Sequence, residues 1–145
     1  MRFCETRLSR QRKAQGLAMH RILYRSVASD DFRSDDLFKV IEVSARNNPE
    51  RDVTGFLLYK AGRFLQFIEG PQENLGVLLS QLAKDPRHHD VELLVDTPAS
   101  RRCFPKWRMQ RIGSDDQAIA ELTDAMRAAG LDEKFAAEIR RFLQA

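Results

Sequence analysis

Four polar residues stand at positions where the apolar pattern predicts burial: Tyr24, Ser26, Asn48 and Gln66. Gln66 is the sharpest case. It lies in Val53–Pro71, which reads as two apolar strands around a tight turn at Lys60-Ala61-Gly62-Arg63. Side chains alternate along a strand, so Phe64 and Ile68 flank Gln66 on its own face. A buried amide must find partners, or folding loses about 1–3 kcal/mol per unsatisfied group. The set holds no metal cluster, no paired acids and no nucleophile–base pair of the Ser-His or Cys-His type. Its amides and hydroxyls suit a flat heteroaromatic ring bearing carbonyls and ring N–H groups. A buried tyrosine adds a phenol that can give up an electron and then its proton.

The elements that must bring these residues together follow in order. His20–Val27 reads as a strand with Ile22, Tyr24 and Ser26 on one face. Ser34 is a good N-cap, with Asp35 and Asp36 in the first turn of a helix running to Asn48 before Pro49. Leu37, Ile41, Ser44 and Asn48 form one stripe on it. After the hairpin, Gly70-Pro71 opens a second helix with Pro71 at the first helical position, Leu75, Leu78, Leu79 and Leu82 on its core face, and Asp85-Pro86 at its end. Val91–Val95 is a fourth strand. Phe104–Ile112 is a fifth, predicted to carry Trp107 and Met109 on the same face. Asp115–Ala129 and Leu131–Leu143 are amphipathic helices separated by Gly130. The order predicts an α+β fold, a ferredoxin-like βαββαββ sheet with two helices on one face and the C-terminal helix pair covering the other. Tyr24, Ser26, Asn48 and Gln66 would converge in the cleft between the first two helices.

Charge and composition bound the partners. The chain has 145 residues, 43% hydrophobic and 31% charged, as in an ordinary globular domain. Its net charge is +3, but residues 1–18 hold five cations against Glu5 alone, which leaves residues 19–145 at −1. The basic character belongs to the leader, so no phosphate-tracking surface and no nucleic-acid partner is expected. Residues 1–18 read as a disordered basic leader, or an overextended start ahead of Met19. No apolar run approaches the roughly 18 residues that a bilayer span needs, so no membrane partner is expected. Cys4 and Cys103 have no metal-ligand spacing, and a reducing cytoplasm fits them best. The expected division is 1–18 leader, 19–113 ligand-binding domain and 114–145 two-helix cap.

Six groups of residues carry a family resemblance. They are Tyr24-Arg25-Ser26; Arg46-Asn47-Asn48; Val53-Thr54-Gly55 with Leu58-Tyr59; Phe64-Leu65-Gln66 with Glu69-Gly70-Pro71; Asp85-Pro86-Arg87-His88; and Arg102 through Phe104-Pro105 to Trp107 and Met109. In this order and spacing the chain resembles the BLUF family of blue-light sensors using FAD, over about Met19 to Ile112. The resemblance implies a non-covalent FAD whose ring lies between the first two helices. Tyr24 would donate an electron and proton to the excited flavin, and Gln66 would bridge Tyr24 and the flavin. Asn48 would hold the flavin C4 carbonyl and N3–H edge. Ser44, Asn47, Phe64, Asp85, Arg87 and Met109 complete the implied cofactor-binding set. Ser26, Trp107 and Met109 would be the residues whose contacts with Gln66 change on signalling. On recombination the Gln66 amide would be left rotated or tautomerised, with a new bond to the C4 carbonyl and a red-shifted absorption. Asn47 stands where some members carry His, so ring stacking would be missing there. Arg63-Phe64-Leu65-Gln66 echoes a LOV photosensor motif, but Gly62 stands where those sensors need Cys.

Singly, each residue has a plainer reading. A strand Tyr or Gln is more often packing or surface, Trp107 and Met109 suit a core, and His88 and His89 read as surface. The alternative functions are a non-photoactive ferredoxin-like module that binds a small ligand or partner, and a small hydrolase, which the missing nucleophile–base pair argues against. The expectation is a sensor rather than an enzyme, signalling to a separate protein partner, with a homo-oligomer expected.

Overall fold

The computed structural model describes residues 19–30, 33, 36, 39, 43 and 52–144. Its strands are β1 (Met19–Ala28), β2 (Thr54–Lys60), β3 (Arg63–Pro71), β4 (His88–Ala99) and β5 (Arg108–Ile112). Its helices are α1 (Gln72–Ala83), α2 (Asp116–Ala129) and α3 (Glu133–Gln144). The strands form one sheet in the order β4-β1-β3-β2-β5. The hairpin strand β3 is central and antiparallel to both neighbours, while β5 runs parallel to β2. This is the ferredoxin-like α+β arrangement. Of the helix expected over 34–48, only Asp36, Lys39 and Val43 are among the described residues, each helical.

Alternation sorts the core into two layers. Ile22, Tyr24, Leu57, Phe64 and Ile68 point to the inner layer, where Leu75 and Leu78 of α1 pack on them. Leu23, Phe56, Leu65 and Phe67 point to the outer layer, under Leu122, Phe135, Ile139 and Phe142 of α2 and α3. Phe67 is the hub there: it stacks on Phe56 at 5.3 Å and meets Phe135 edge-on at 5.5 Å. Each such buried side chain contributes about 1.5–3 kcal/mol. The helix pair therefore covers the outer face, as its apolar stripes predict. Asp115 caps α2 by accepting from the Ala118 N–H at 2.9 Å, and Gly130 ends it in the left-handed conformation at φ 69°.

The turn of the hairpin is two residues, Ala61 at φ 52° and Gly62 at φ 77°. Both left-handed, they match the strand twist, and Lys60 pairs with Arg63 across them. Several boundaries differ from the sequence reading; β5 begins at Arg108 rather than Phe104. Pro71 is the N-cap of α1, not its first helical residue, because β3 runs on to it with ψ 135°. β4 begins at His88 rather than Val91; as an edge strand with much exposed surface it has little apolar signal at its start.

The fifth strand gives the larger correction. Arg108 pairs with Gly55 and Gln110 pairs with Phe56, so Met109 is an extra residue, a β-bulge, at φ 62°. The bulge breaks the alternation. Met109 is buried in the inner layer, whereas Trp107 packs in the outer one, stacked on Phe104 at 4.6 Å. They do not share a face. Gly55, across from Arg108, is itself too close to β3 for a side chain: a Cβ there would lie 1.8 Å from the Phe67 carbonyl oxygen.

Candidate functional site

Strand pairing builds the centre of the site. Tyr24 lies directly across from Gln66 on the antiparallel β1–β3 pair, and both side chains face the inner layer at 3% and 2% exposure. The Tyr24 hydroxyl donates to Gln66 Oε1. The other end of the amide, Nε2, points to the Met109 sulfur at 2.7 Å. A thioether is a weak acceptor. The bulge is what brings that sulfur to Gln66; a regular strand would have turned Met109 the other way.

Burial pushes the Tyr24 phenol well above its ordinary range, and the Asp85 carboxylate adds to the shift. Tyr24 therefore keeps its proton, and in this arrangement it donates to the amide oxygen. Asp85 and Arg87 form a second unit at the end of α1. Arg87 Nε reaches the two Asp85 oxygens at 2.9 and 3.1 Å, Nη2 bonds the same carboxylate, and the Arg87 N–H donates to it at 2.9 Å. The bonds from the Arg87 side chain hold Asp85 below its usual value, and the same contact raises Arg87.

Tyr24, Phe64, Gln66, Asp85 and Arg87 line one pocket of about 310 Å³, a volume that includes the solvent at its open side. Its floor offers an amide whose nitrogen has only a thioether partner among the described residues, and its rim carries a guanidinium–carboxylate pair. A planar ring with carbonyl and imine acceptors would give the amide a better acceptor than sulfur, so the residues fit a flavin edge. Asn47, Asn48 and Ser44 lie outside the described residues. Trp107 packs in the outer layer, whereas the Gln66 side chain bonds Tyr24 and Met109 of the inner one.

Two residues escaped the sequence reading. His88 lines the same cavity rather than the surface. Its Nε2 donates to the Leu82 carbonyl at 2.6 Å, so Nδ1, 2.7 Å from Ser26 Oγ, is the acceptor for that hydroxyl in the neutral ring. This is a Ser-His contact, which the sequence reading had not found. Ser26 is 1% exposed, and the imidazole is oriented by a carbonyl rather than a carboxylate, so the pair joins β1, β4 and α1 instead of presenting a nucleophile. A strand begun at His88 would have placed this ring inward, because His88 pairs with Ala28 on the face of Tyr24.

Glu69 is the second. It is fully buried in the outer layer and accepts from the Cys103 and Phe104 N–H groups at 2.9 and 2.6 Å. Burial raises its carboxyl, against the pull of those two bonds and of Arg21 and Arg102. It pins the turn that carries Phe104 and leads into Trp107.

Comparison with known proteins agrees with this geometry. A family model described as sensors of blue-light using FAD matches residues 19–110. The blue light- and temperature-regulated antirepressor BluF of Escherichia coli (strain K12) is 34% identical over 108 residues, 74% of this chain and 26% of that protein. The photoactivated adenylate cyclase subunit alpha of Euglena gracilis is 31% identical over 94 residues, 63% of this chain and 9% of that protein. The chain thus spans a small part of the length of these relatives. The dark-state structure of BlrB, a BLUF protein, superposes with a TM-score of 0.66 at 26% identity, covering 83% of this chain and 97% of that one. With Tyr24 and Gln66 paired at a cavity on this sheet, and with the family model matching over residues 19–110, the chain belongs to the BLUF family of blue-light sensors that use FAD.

Proposed function

We propose that Tyr24, Gln66 and Met109 are the photoactive chain of this sensor, and that light acts by reorienting the Gln66 amide. The observation that carries the reading is the unbroken line from the Tyr24 hydroxyl through the amide to the Met109 sulfur, set against the cavity. Bound FAD, once excited, supplies a strong oxidant. Tyr24 is the electron source. Its phenolic proton is held too firmly to leave before oxidation, and the hydrogen bond directs it to Gln66 Oε1. Gln66 has two stable ways to sit between a phenol and a thioether, which makes the network bistable. Phe64 shapes the cavity, Asp85 and Arg87 hold the cofactor's polar chain, and Ser26 is tied to His88. Ser44, Asn47 and Asn48 complete the cofactor set. Met109, rather than Trp107, is the output contact of Gln66.

The chain acts as a sensor and not as an enzyme, with residues 19–113 as the flavin domain and 114–145 as the cap. It works in the cytoplasm as a homo-oligomer and passes its signal to a separate protein, without nucleic acid or membrane as partner. Support for a protein partner comes from BluF, an antirepressor by name. Among the described residues no helix is long and apolar enough to cross a membrane. The test is a light-minus-dark absorption spectrum of the purified, FAD-loaded protein. The expected result is a reversible red shift in the wild type and none in Gln66→Leu. A static spectrum in the wild type would refute the reading.

A further inference from the structure

β5 forms one edge of the sheet, so among the described residues one side of its backbone has no neighbouring strand. Arg108 and Arg111 on it, and Lys106 in the turn just before it, are exposed, and none makes an ion pair among the described residues. Three unpaired cations within six residues stand out in a region, 19–145, whose net charge is −1. Beside the strand an open cleft of about 560 Å³ runs between β5 and α2, with Trp107, Ile112, Ala118 and Leu122 as its apolar wall and Glu121 as an acid on the α2 side. The same strand holds Met109, whose sulfur meets Gln66.

We propose that the β5 edge and this cleft dock an extended acidic segment of a partner protein, which adds as a strand to β5 and places apolar side chains in the cleft. Unpaired backbone groups supply the affinity that depends on no sequence, and the cations select acidic side chains. A second copy of this chain is disfavoured, because two β5 edges would set like charges against each other. Nucleic acid is disfavoured because the cations line an open strand edge beside an apolar cleft, not a groove. The segment's signal would come from the bulge, since any shift of Met109 moves the backbone of the docking strand itself. The proposal deepens the reading of the chain as a sensor with a separate protein partner.

The test uses the full-length, FAD-loaded protein in the dark. The probe is a peptide of about six residues alternating Glu and Val, labelled with a far-red dye that leaves the flavin unexcited. Anisotropy should show saturable binding, and amide hydrogen exchange should slow over residues 108–112. The Lys106→Gln/Arg108→Gln/Arg111→Gln variant should bind about tenfold more weakly, since exposed charge contacts are individually modest. Should that variant not fold, Arg111→Gln alone should weaken binding in the same direction. Equal affinity of the variant, equal binding of a Lys/Val peptide, protection confined to other strands, or displacement of the peptide by duplex DNA would overturn the proposal. The sensor reading fails separately, by the absence of a light-induced shift in the wild type.

Discussion

Tyr24 and Gln66 face each other across the central strand pair, and the phenol donates to the amide oxygen while both are almost wholly buried. The pairing follows from the β1–β3 register alone, so a slip of one residue would send the two to opposite layers. Tyr24→Phe keeps the ring and removes the donor. The variant should still bind FAD, yet show no light-induced red shift. Retention of the shift in Tyr24→Phe would count against Tyr24 as the donor.

Alkaline pH tests the burial of the phenol. The Tyr24 pKa in the folded state lies above its ordinary 10.0. Its contribution to stability is therefore complete below pH 10 and is lost as pH rises from there, because only the unfolded chain releases the proton. The stability of the wild type in urea should fall from pH 10 upward more steeply than that of Tyr24→Phe. Equal slopes would mean the phenol titrates normally.

The bulge separates two residues that the strand pattern would pair. Met109→Leu removes the sulfur from Gln66 and should change the dark-recovery rate about fivefold, as a hydrogen bond of about 1 kcal/mol implies. Trp107→Phe alters only the outer layer and should change it less than about twofold. The reverse ranking would move the output contact to Trp107.

The helix pair is needed to cover the outer face. Phe135 is fully buried against Phe67, so Phe135→Ala should cost about 3–5 kcal/mol in chemical denaturation. Removing residues 115–145 should expose Phe56 and Phe67 and leave an aggregating protein. A truncated protein that stayed monomeric and photocycled normally would show that the cap is dispensable.

Glu69→Ala should destabilise by about 1–3 kcal/mol for each of the two N–H groups of Cys103 and Phe104 left unpaired. Glu69→Gln retains one acceptor and should lie between Ala and the wild type. Equal losses in both variants would indicate that the charge near Arg21, not the turn, is what Glu69 serves.

Local pattern revealed the strands that alternate cleanly. Ile22-Leu23-Tyr24 and Phe64-Leu65-Gln66-Phe67-Ile68 sort into the two layers as their spacing predicts, and Gln66 is conspicuous because it interrupts an apolar face. The apolar stripes of α2 and α3 likewise announced the outer layer. What was not legible depends on single residues or on distant contacts. One extra residue in β5 inverts the facing of Met109 relative to Trp107, and no composition signal marks it. His88 was hidden by the polar run His88-His89-Asp90 at the start of an edge strand. Glu69 reads as an ordinary strand-end acid, since its amide partners lie more than thirty residues along the chain.

The most direct test is a light-minus-dark infrared difference spectrum of the FAD-loaded protein with isotope-labelled glutamine side-chain amides, compared with the same labelling in Gln66→Leu. Reorientation of Gln66 predicts a labelled amide carbonyl band that shifts on illumination, reverts in the dark and is absent from Gln66→Leu. A wild type that shows the visible red shift while every labelled amide band stays still would contradict the switch.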